Sequence, residues 1–357
     1  MKGPRCRRRT GILLVSLVVF LNGCGDGPQG DPIQLTVPSG ASLHRVADTL
    51  SARGIIDGRK TPLFRAYARL RRDDRAIRAG HYAFRRGEAW GRILDDLTQG
   101  RVVTVRMTIP EGFTLGQMAP RIAQVAEAPQ ASILEILTKD SLATALEVPG
   151  PGLEGYLFPD TYLLEPGTPT GRIVAAMVRR YRAFWTPERR ARLEQLGWSE
   201  RELVTLASIV QSEARRSEEM PVISSVYHNR LELGQPLQAD PTVLYALGGP
   251  RERLLYAAID SVADHPYNTY GHPGLPPGPI SAPGELALDA ALTPAQTSYY
   301  YFVARPDGSH VFTGSLIEHN RAKAQARREW DTAGTAVGVR GPDVDTETVS
   351  PGIPQNR

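Results

Sequence analysis

Thiols are almost missing from this sequence. Of 357 residues only Cys6 and Cys24 are cysteines, and both lie near the N-terminus. A body that starts after Cys24 therefore has neither a disulfide framework nor a thiolate metal site. Lysine is nearly as scarce: Lys2, Lys60, Lys139 and Lys323 are the whole set. None lies in a segment with the look of a site, which argues against pyridoxal phosphate and Schiff-base chemistry. The seven histidines form no H-x-x-x-H pair and no ligand cluster, so a zinc site is not expected. There is no G-x-S-x-G elbow and no phosphate-binding P-loop. The expectation is a chain with no metal and no cofactor.

Net charge looks informative and is not. The formal charge is +4, from 42 Lys+Arg against 38 Asp+Glu. Five of those bases (Lys2, Arg5, Arg7, Arg8, Arg9) fall within residues 1–23, which hold no acid, leaving 37 bases against 38 acids for the remainder. A near-neutral body removes the main support for nucleic-acid binding. A composition of 41% hydrophobic and 22% charged residues is ordinary for a globular chain and excludes a coiled coil, a collagen and a wholly disordered protein. The length suits two domains or one elaborated one.

The N-terminus reads as an export signal over 1–23. A basic stretch precedes the apolar run Gly11–Leu21 and then Leu21-Asn22-Gly23-Cys24. That run is shorter than the ~20 residues a spanning helix requires. A Cys after a small residue resembles a bacterial lipobox, making Cys24 the lipidation candidate; plain cleavage and an uncleaved anchor are the alternatives. Residues 24–32, rich in Gly, Pro and Asp, read as a tether.

The body holds an internal similarity. Val37-Pro38-Ser39-Gly40-Ala41-Ser42-Leu43 is echoed by Ile109-Pro110-Glu111-Gly112-Phe113-Thr114-Leu115. Each reads as strand, Pro/Gly turn, Ser/Thr cap and amphipathic helix. Between them, Ala79–Phe84 and Val102–Thr108 read as strands and Trp90–Leu97 as a helix closed by Gly100. Further helices are expected at Leu115–Val125, Ser132–Thr138, Gly171–Phe184, Pro187–Leu196 and Glu200–Glu213. A strand pair is expected at Tyr299–Ala304 and His310–Thr313 around Asp307-Gly308. The fold class is α+β, with a small unit over 33–106, a larger mixed α/β domain over 107–331, and a disordered tail over 332–357.

Chemistry concentrates on the helix at 200–213. Ser199 and Glu202 make a capping box. Leu203, Leu206, Val210 and Glu213 step by three, four and three, so Glu213 extends an apolar stripe by one turn. Desolvation and the negative end of the helix dipole both raise its pKa, as a general acid near neutral pH requires. The plainer alternative is a Glu that reaches solvent or pairs with Arg215 or Arg216. Three loop-like segments, Glu154–Tyr162, Tyr227–Thr242 and Tyr267–Ile280, carry Tyr, Asn and acids suited to stacking on sugars and bonding hydroxyls.

Taken in order, Leu206-Ala207-Ser208-Ile209-Val210-Gln211-Ser212-Glu213, Asn229-Arg230-Leu231, Leu237-Gln238-Ala239-Asp240-Pro241-Thr242-Val243, Tyr267-Asn268-Thr269-Tyr270 and Gly274-Leu275-Pro276-Pro277-Gly278-Pro279-Ile280 resemble the MltG (YceG-like) family of endolytic murein transglycosylases. With Ile109–Gly112 and Glu154–Tyr162, the resemblance spans about 35–330. It implies a LysM-like subdomain over 33–106 and a catalytic domain that cleaves the MurNAc–GlcNAc β-1,4 bond within nascent peptidoglycan strands, leaving 1,6-anhydro ends and terminating elongation. The family motif Ala-Ser-Ile-Val-Glu-x-Glu places its catalytic glutamate on Glu213; its first Glu is Gln211 here. Asn229, Gln238, Asp240, Asn268 and Tyr270 are the expected sugar-positioning residues. The implied setting is the cell envelope, on the periplasmic face of the inner rather than the outer membrane, with peptidoglycan synthases as partners. Two rivals stay open: a muramidase using Asp240 as second carboxylate, and a non-catalytic peptidoglycan-binding lipoprotein.

Overall fold

A computed structural model describes residues 28–150, 152–249, 251 and 254–337. The export signal and Cys24 lie outside the described residues. The chain forms two compact units. One runs to Met107 and takes in Val125–Glu127 and Leu163–Thr168; the other holds the remainder from Thr108 onward.

In the smaller unit the order is β1 (Gln29–Val37), α1 (Leu43–Ala52), α2 (Thr61–Leu70), β2 (Gly80–Arg86) and α3 (Trp90–Gln99). β1 and β2 pair antiparallel, with Leu35 opposite Tyr82 and Ile33 opposite Phe84. Alternation puts Leu35, Val37, Tyr82 and Phe84 on one face, all buried. On that face lie Leu43, Val46, Ala47 and Leu50 of α1 and Ile93, Leu94 and Leu97 of α3, spaced to fill one side of each helix. The Ser42 hydroxyl caps α1 through the Arg45 N–H, and Gly100 ends α3 in the left-handed conformation at φ 71°. β1 begins at Gln29, so residues 29–32 extend a strand and are not tether: Ile33, Leu35 and Val37 anchor the ladder, and pairing with β2 reaches back to Gln29.

The larger unit is mostly helical. It contains α4 (Leu115–Ala126), α5 (Gln130–Leu137), α6 (Asp140–Ala145), α7 (Thr170–Phe184), α8 (Pro187–Leu196), α9 (Glu200–Glu213), α10 (Met220–Glu232), α11 (Asp240–Ala246), α12 (Tyr256–Asp260) and α13 (Glu285–Leu292), closing with α14 (Leu316–Val337). Strands β5 (Tyr301–Ala304) and β6 (His310–Thr313) pair within this unit, whereas β3 (Val105–Thr108) and β4 (Thr161–Leu164), which pair with each other, each have residues in both units. The expected mixture of helices and strands forms, with the strands in small two-stranded sheets. The expected tail at 332 does not: α14 continues through 332–337, and residues 338–357 lie outside the described part. A capping box starts α14, with Ser315 and Glu318 exchanging side-chain-to-backbone bonds.

Helix α9 is the axis of this unit. Every residue from Leu203 to Val210 is buried, because α10, α11 and α13 pack around it. The single apolar stripe expected from its spacing is therefore too narrow a description. A helix enclosed on all sides must satisfy its polar groups internally. Thr205 donates to the Arg201 carbonyl (2.8 Å) and Ser208 to the Thr205 carbonyl (2.7 Å). Among the described residues no helix is long and apolar enough to cross a membrane.

Candidate active site

Glu213 is the last residue of α9, where the enclosed helix emerges from the core. It is half-buried. The Tyr227 hydroxyl, on the next helix, donates to its Oε1 at 2.8 Å. Tyr227 is 1% exposed, with its ring edge-on to Phe302 at 5.9 Å. The pairing with Arg215 or Arg216 does not form: Arg216 bonds Asp307, and the Arg215 guanidinium lies over the Trp330 ring.

Burial is the main reason the Glu213 carboxyl is pushed up from 4.5 to about 8, and the negative charge of Asp240 adds to it. The Tyr227 hydrogen bond and the Arg230 cation oppose the rise without cancelling it. A group with this environment is largely protonated at neutral pH and still readily ionised.

Asp240 starts α11 and is exposed. Tyr270 donates its hydroxyl to Asp240 Oδ1 at 2.5 Å. Asn268 holds Tyr270 in place: its Oδ1 accepts the Tyr270 N–H (3.0 Å), while its Nδ2 donates to the Ile259 and Val262 carbonyls. Asn268 is 1% exposed, so it braces the site from inside. Gln238 is exposed, with φ of 51°, and its backbone N–H bonds the Thr269 carbonyl (3.0 Å). The Thr269 hydroxyl also accepts the Ala239 N–H and meets the Thr242 hydroxyl (2.9 Å). These bonds stitch the 237–242 segment to 268–270.

Asn229 is placed differently from the expectation. Its Nδ2 donates to the Thr297 and Tyr299 carbonyls (3.0 and 2.8 Å). No described bond joins it to Glu213, Asp240 or Tyr270. The reason is secondary structure: Tyr227–Leu231 is part of helix α10, not of a loop, and its polar side chains hold the segment before β5. Arg230 does the same on a buried scale. Its Nε donates to Tyr300 O (2.7 Å) and its Nη1 to Leu237 O (2.6 Å). Tyr227 and Arg230, one helical turn apart, lie in segments that the sequence marks, but the Tyr227 bond to Glu213 and the Arg230 bonds to backbone carbonyls are not among its expectations.

The polar residues of the 206–213 motif have separate tasks. Ser208 Oγ accepts the Ile280 N–H (3.0 Å), and Ser212 Oγ lies 3.3 Å from Ser281 Oγ. Gln211 Oε1 accepts the Gly284 N–H at 2.9 Å. An amide oxygen serves this purpose as well as a carboxylate does, so Gln211 is a tie to the 280–284 segment.

Beside this group the larger unit contains a cavity of about 940 Å³. Its wall includes Ser212 and Pro241, the chain neighbours of Glu213 and Asp240, together with Glu154, Tyr245, Tyr267 and Ile280. Glu154 accepts the Leu115 N–H at 3.2 Å, and burial pushes its carboxyl up to about 7. Among the described residues no group of three or more His, Cys, Asp or Glu is placed to hold a metal ion.

The sequence profile of the YceG-like family matches residues 35–325. The chain belongs to that family. It is 33% identical over 307 residues to the endolytic murein transglycosylase of Bacillus subtilis (strain 168), covering 82% of this chain and 84% of that protein. With the endolytic murein transglycosylase of Streptococcus pneumoniae (strain D39) it shares 28% identity over 327 residues, 82% of this chain and 58% of that longer relative. A solved YceG-like protein from Listeria monocytogenes superposes with a TM-score of 0.56 at 30% identity, over 82% of this chain and 99% of the other. Of the motif residues, Tyr270 bonds Asp240 and is braced by Asn268, and the Asp240 charge acts on Glu213.

Proposed function

We propose that this protein is an endolytic peptidoglycan lytic transglycosylase. It cleaves the MurNAc–GlcNAc β-1,4 bond within glycan strands and ends their elongation. One observation carries the reading. The Glu213 carboxyl, desolvated and held by the Tyr227 hydroxyl, stands at the open end of a buried helix, with a cavity of about 940 Å³ lined by its chain neighbour Ser212. The family relatives named endolytic murein transglycosylases support it.

The chemistry follows from one carboxyl in two protonation states. Protonated Glu213 donates its proton to the glycosidic oxygen as the bond to C1 of MurNAc breaks, through an oxocarbenium-like transition state. The Glu213 carboxylate then takes the proton of the MurNAc 6-hydroxyl, whose oxygen closes on C1. The products are a free GlcNAc 4-hydroxyl and a 1,6-anhydro ring. Glu213 ends as it began, and no water is consumed. Burial and then the Asp240 charge keep Glu213 protonated, Tyr270 orients Asp240, and Tyr227 fixes the reacting carboxyl. Gln238 and Tyr270 face the sugar.

The wider placement belongs to the same proposal. Residues 1–23 export the chain, Cys24 carries a lipid, and the enzyme works on the periplasmic face of the inner membrane next to peptidoglycan synthases. The 33–106 unit acts as a LysM-like glycan-binding module, and residues 107–331 as the catalytic domain.

Mass analysis of muropeptides released from purified murein tests the reaction. The expected products carry anhydro ends. Products heavier by one water would make the protein a muramidase, and no release would make it a binding protein.

Two further outcomes follow from the site. Tyr227→Phe removes a hydrogen bond that favours the ionised carboxyl, so the pKa of Glu213 rises further. Activity requires the protonated form first, so the basic limb of the kcat/KM–pH profile, expected near 8 in the wild type, moves upward. Loss of a hydrogen bond to a charged group also lowers kcat by roughly tenfold. A slower enzyme with an unmoved limb would reduce Tyr227 to packing. Gln211→Glu keeps an acceptor for the Gly284 N–H and is expected to change the cleavage rate by less than about threefold, since the new carboxylate is committed to that bond in the 280–284 segment. A tenfold gain would mean that Gln211 impairs the acid chemistry.

A further inference from the structure

The cavity beside Glu213 has a chemical character that cleavage alone does not require. Its described lining holds two acids, Glu154 and Asp140, and two tyrosines, Tyr245 and Tyr267, but no Lys, Arg or His. The tyrosine rings lie close together, with centroids 4.9 Å apart and planes tilted by 42°. Glu154 is oriented by the backbone: both carboxyl oxygens lie within 3.3 Å of the Leu115 nitrogen.

We propose that this cavity binds a primary ammonium group carried by the substrate, with Glu154 as its counter-charge and the Tyr245 and Tyr267 rings as its walls. A carboxylate next to aromatic faces is a good host for a compact cation, which gains both ion pairing and attraction to the ring faces. Glu154 accepts bonds from the Leu115 N–H and the Tyr245 hydroxyl, which hold it in place, and it has no described basic neighbour, so its charge gains most when a cation arrives. Burial, the dominant influence on Glu154, agrees with that. The size also fits: about 940 Å³ is at the upper end for a ligand pocket and accommodates more than one sugar ring.

This rests on the transglycosylase reading. Peptidoglycan offers a primary ammonium from two sources: the diamino acid of its stem peptide and a glucosamine that has lost its acetyl group. The cavity wall includes the chain neighbours of Glu213 and Asp240, so an ammonium held there would set which stretch of strand lies over the reacting carboxyl.

The test uses the purified full chain and four murein preparations: native, amine-acetylated with acetic anhydride, freed of stems by an amidase, and stem-free then partly de-N-acetylated. Wild type is expected to show a KM about tenfold higher on acetylated than on native murein, the effect of one lost charged hydrogen bond. Stem-free strands that match acetylated murein assign the ammonium to the stem. Recovery of low KM on de-N-acetylated strands assigns it to the glucosamine. Glu154→Gln is expected to raise KM on native murein to the acetylated value and erase the difference between the two, with kcat nearly unchanged. Equal KM values for wild type on native and acetylated murein would overturn the ammonium site while leaving the transglycosylase intact. So would a Glu154→Gln variant that weakens both substrates alike, which would make Glu154 an acceptor of sugar hydroxyls. Failure of wild type to cleave any preparation would overturn the reading of the function itself.

Discussion

Glu213→Gln is expected to lower the rate of glycan cleavage by roughly 10³-fold or more while leaving the protein folded. General acid–base catalysis by one positioned group contributes about 10² to 10⁴ in rate, and here the same carboxyl serves both proton transfers. Gln keeps the size and still accepts the Tyr227 hydroxyl, so the measured loss is chemistry and not packing. Thermal unfolding provides the second readout. The wild-type carboxyl is raised from 4.5 unfolded to about 8 folded, so the folded state favours the protonated form. That contribution is fully present below pH 4.5, is lost as pH rises, and has become a penalty in full above pH 8. Gln has no such charge. The variant is therefore expected to gain stability relative to wild type as pH rises from 5 to 8, and to keep that gain above it. A variant that cleaves at the wild-type rate would remove Glu213 from the reaction. One that melts earlier than wild type at pH 8 would contradict the desolvated site.

The pattern of what the sequence discloses follows from where each signal resides. Helices with strong ends are legible to the residue: α8 starts at Thr186 and Pro187 and stops at Gly197, and α9 is bounded by its capping box. Helix α10 is not, because it is buried nearly all round and carries Tyr, His, Asn and Arg at positions where a solvent-facing helix shows periodicity. Its polar residues look like a loop until their carbonyl partners are seen. Helix α14 carries a legible start in Ser315 and Glu318, but it lacks an apolar stripe strong enough to extend it to Val337. In the site, Glu213 stands out locally, since its position on α9 is a matter of spacing. Its partner Tyr227 does not, because the bond depends on how two helices pack. Asp240 and Tyr270 are each conspicuous, yet their contact is closed by a loop that Asn268 folds from within. Composition reports residue chemistry; only tertiary structure reports which donor meets which acceptor.

Gly155→Ala is expected to be the most damaging small substitution in the larger unit. Two independent effects act there. The residue has φ of 83°, a conformation that costs an L-residue with a side chain about 1–2 kcal/mol. A Cβ at that position would also come within 2.4 Å of Pro279 Cβ and 2.6 Å of its Cγ, with Val204 Cγ1 at 3.1 Å. Neither neighbour can swing away, since one is a ring and the other lies in the buried part of α9. Overpacking of this kind costs about 1–3 kcal/mol. Together the two predict a loss of about 2–5 kcal/mol, which for a unit of this size lowers the melting temperature by roughly 5–15 °C. Gly152→Ala is the control. Gly152 lines the cavity that Glu154 and Pro279 also line, has nothing within 4 Å of the new Cβ and no positive φ, and is expected to melt within about 2 °C of wild type. The functional consequence comes from geometry. Pro279 precedes Ile280, whose N–H is held by Ser208 of α9 at 3.0 Å, and Gly155 follows Glu154. A displaced Pro279 thus pushes on the helix that ends in Glu213 and on the wall that carries Glu154. In Gly155→Ala protein assayed well below its melting point, KM and kcat should both worsen, whereas Gly152→Ala should leave both within about twofold. Equal melting temperatures for the two variants would show that the Gly155–Pro279 approach is looser than the structure has it, and that this wall does not hold the two carboxyls in register.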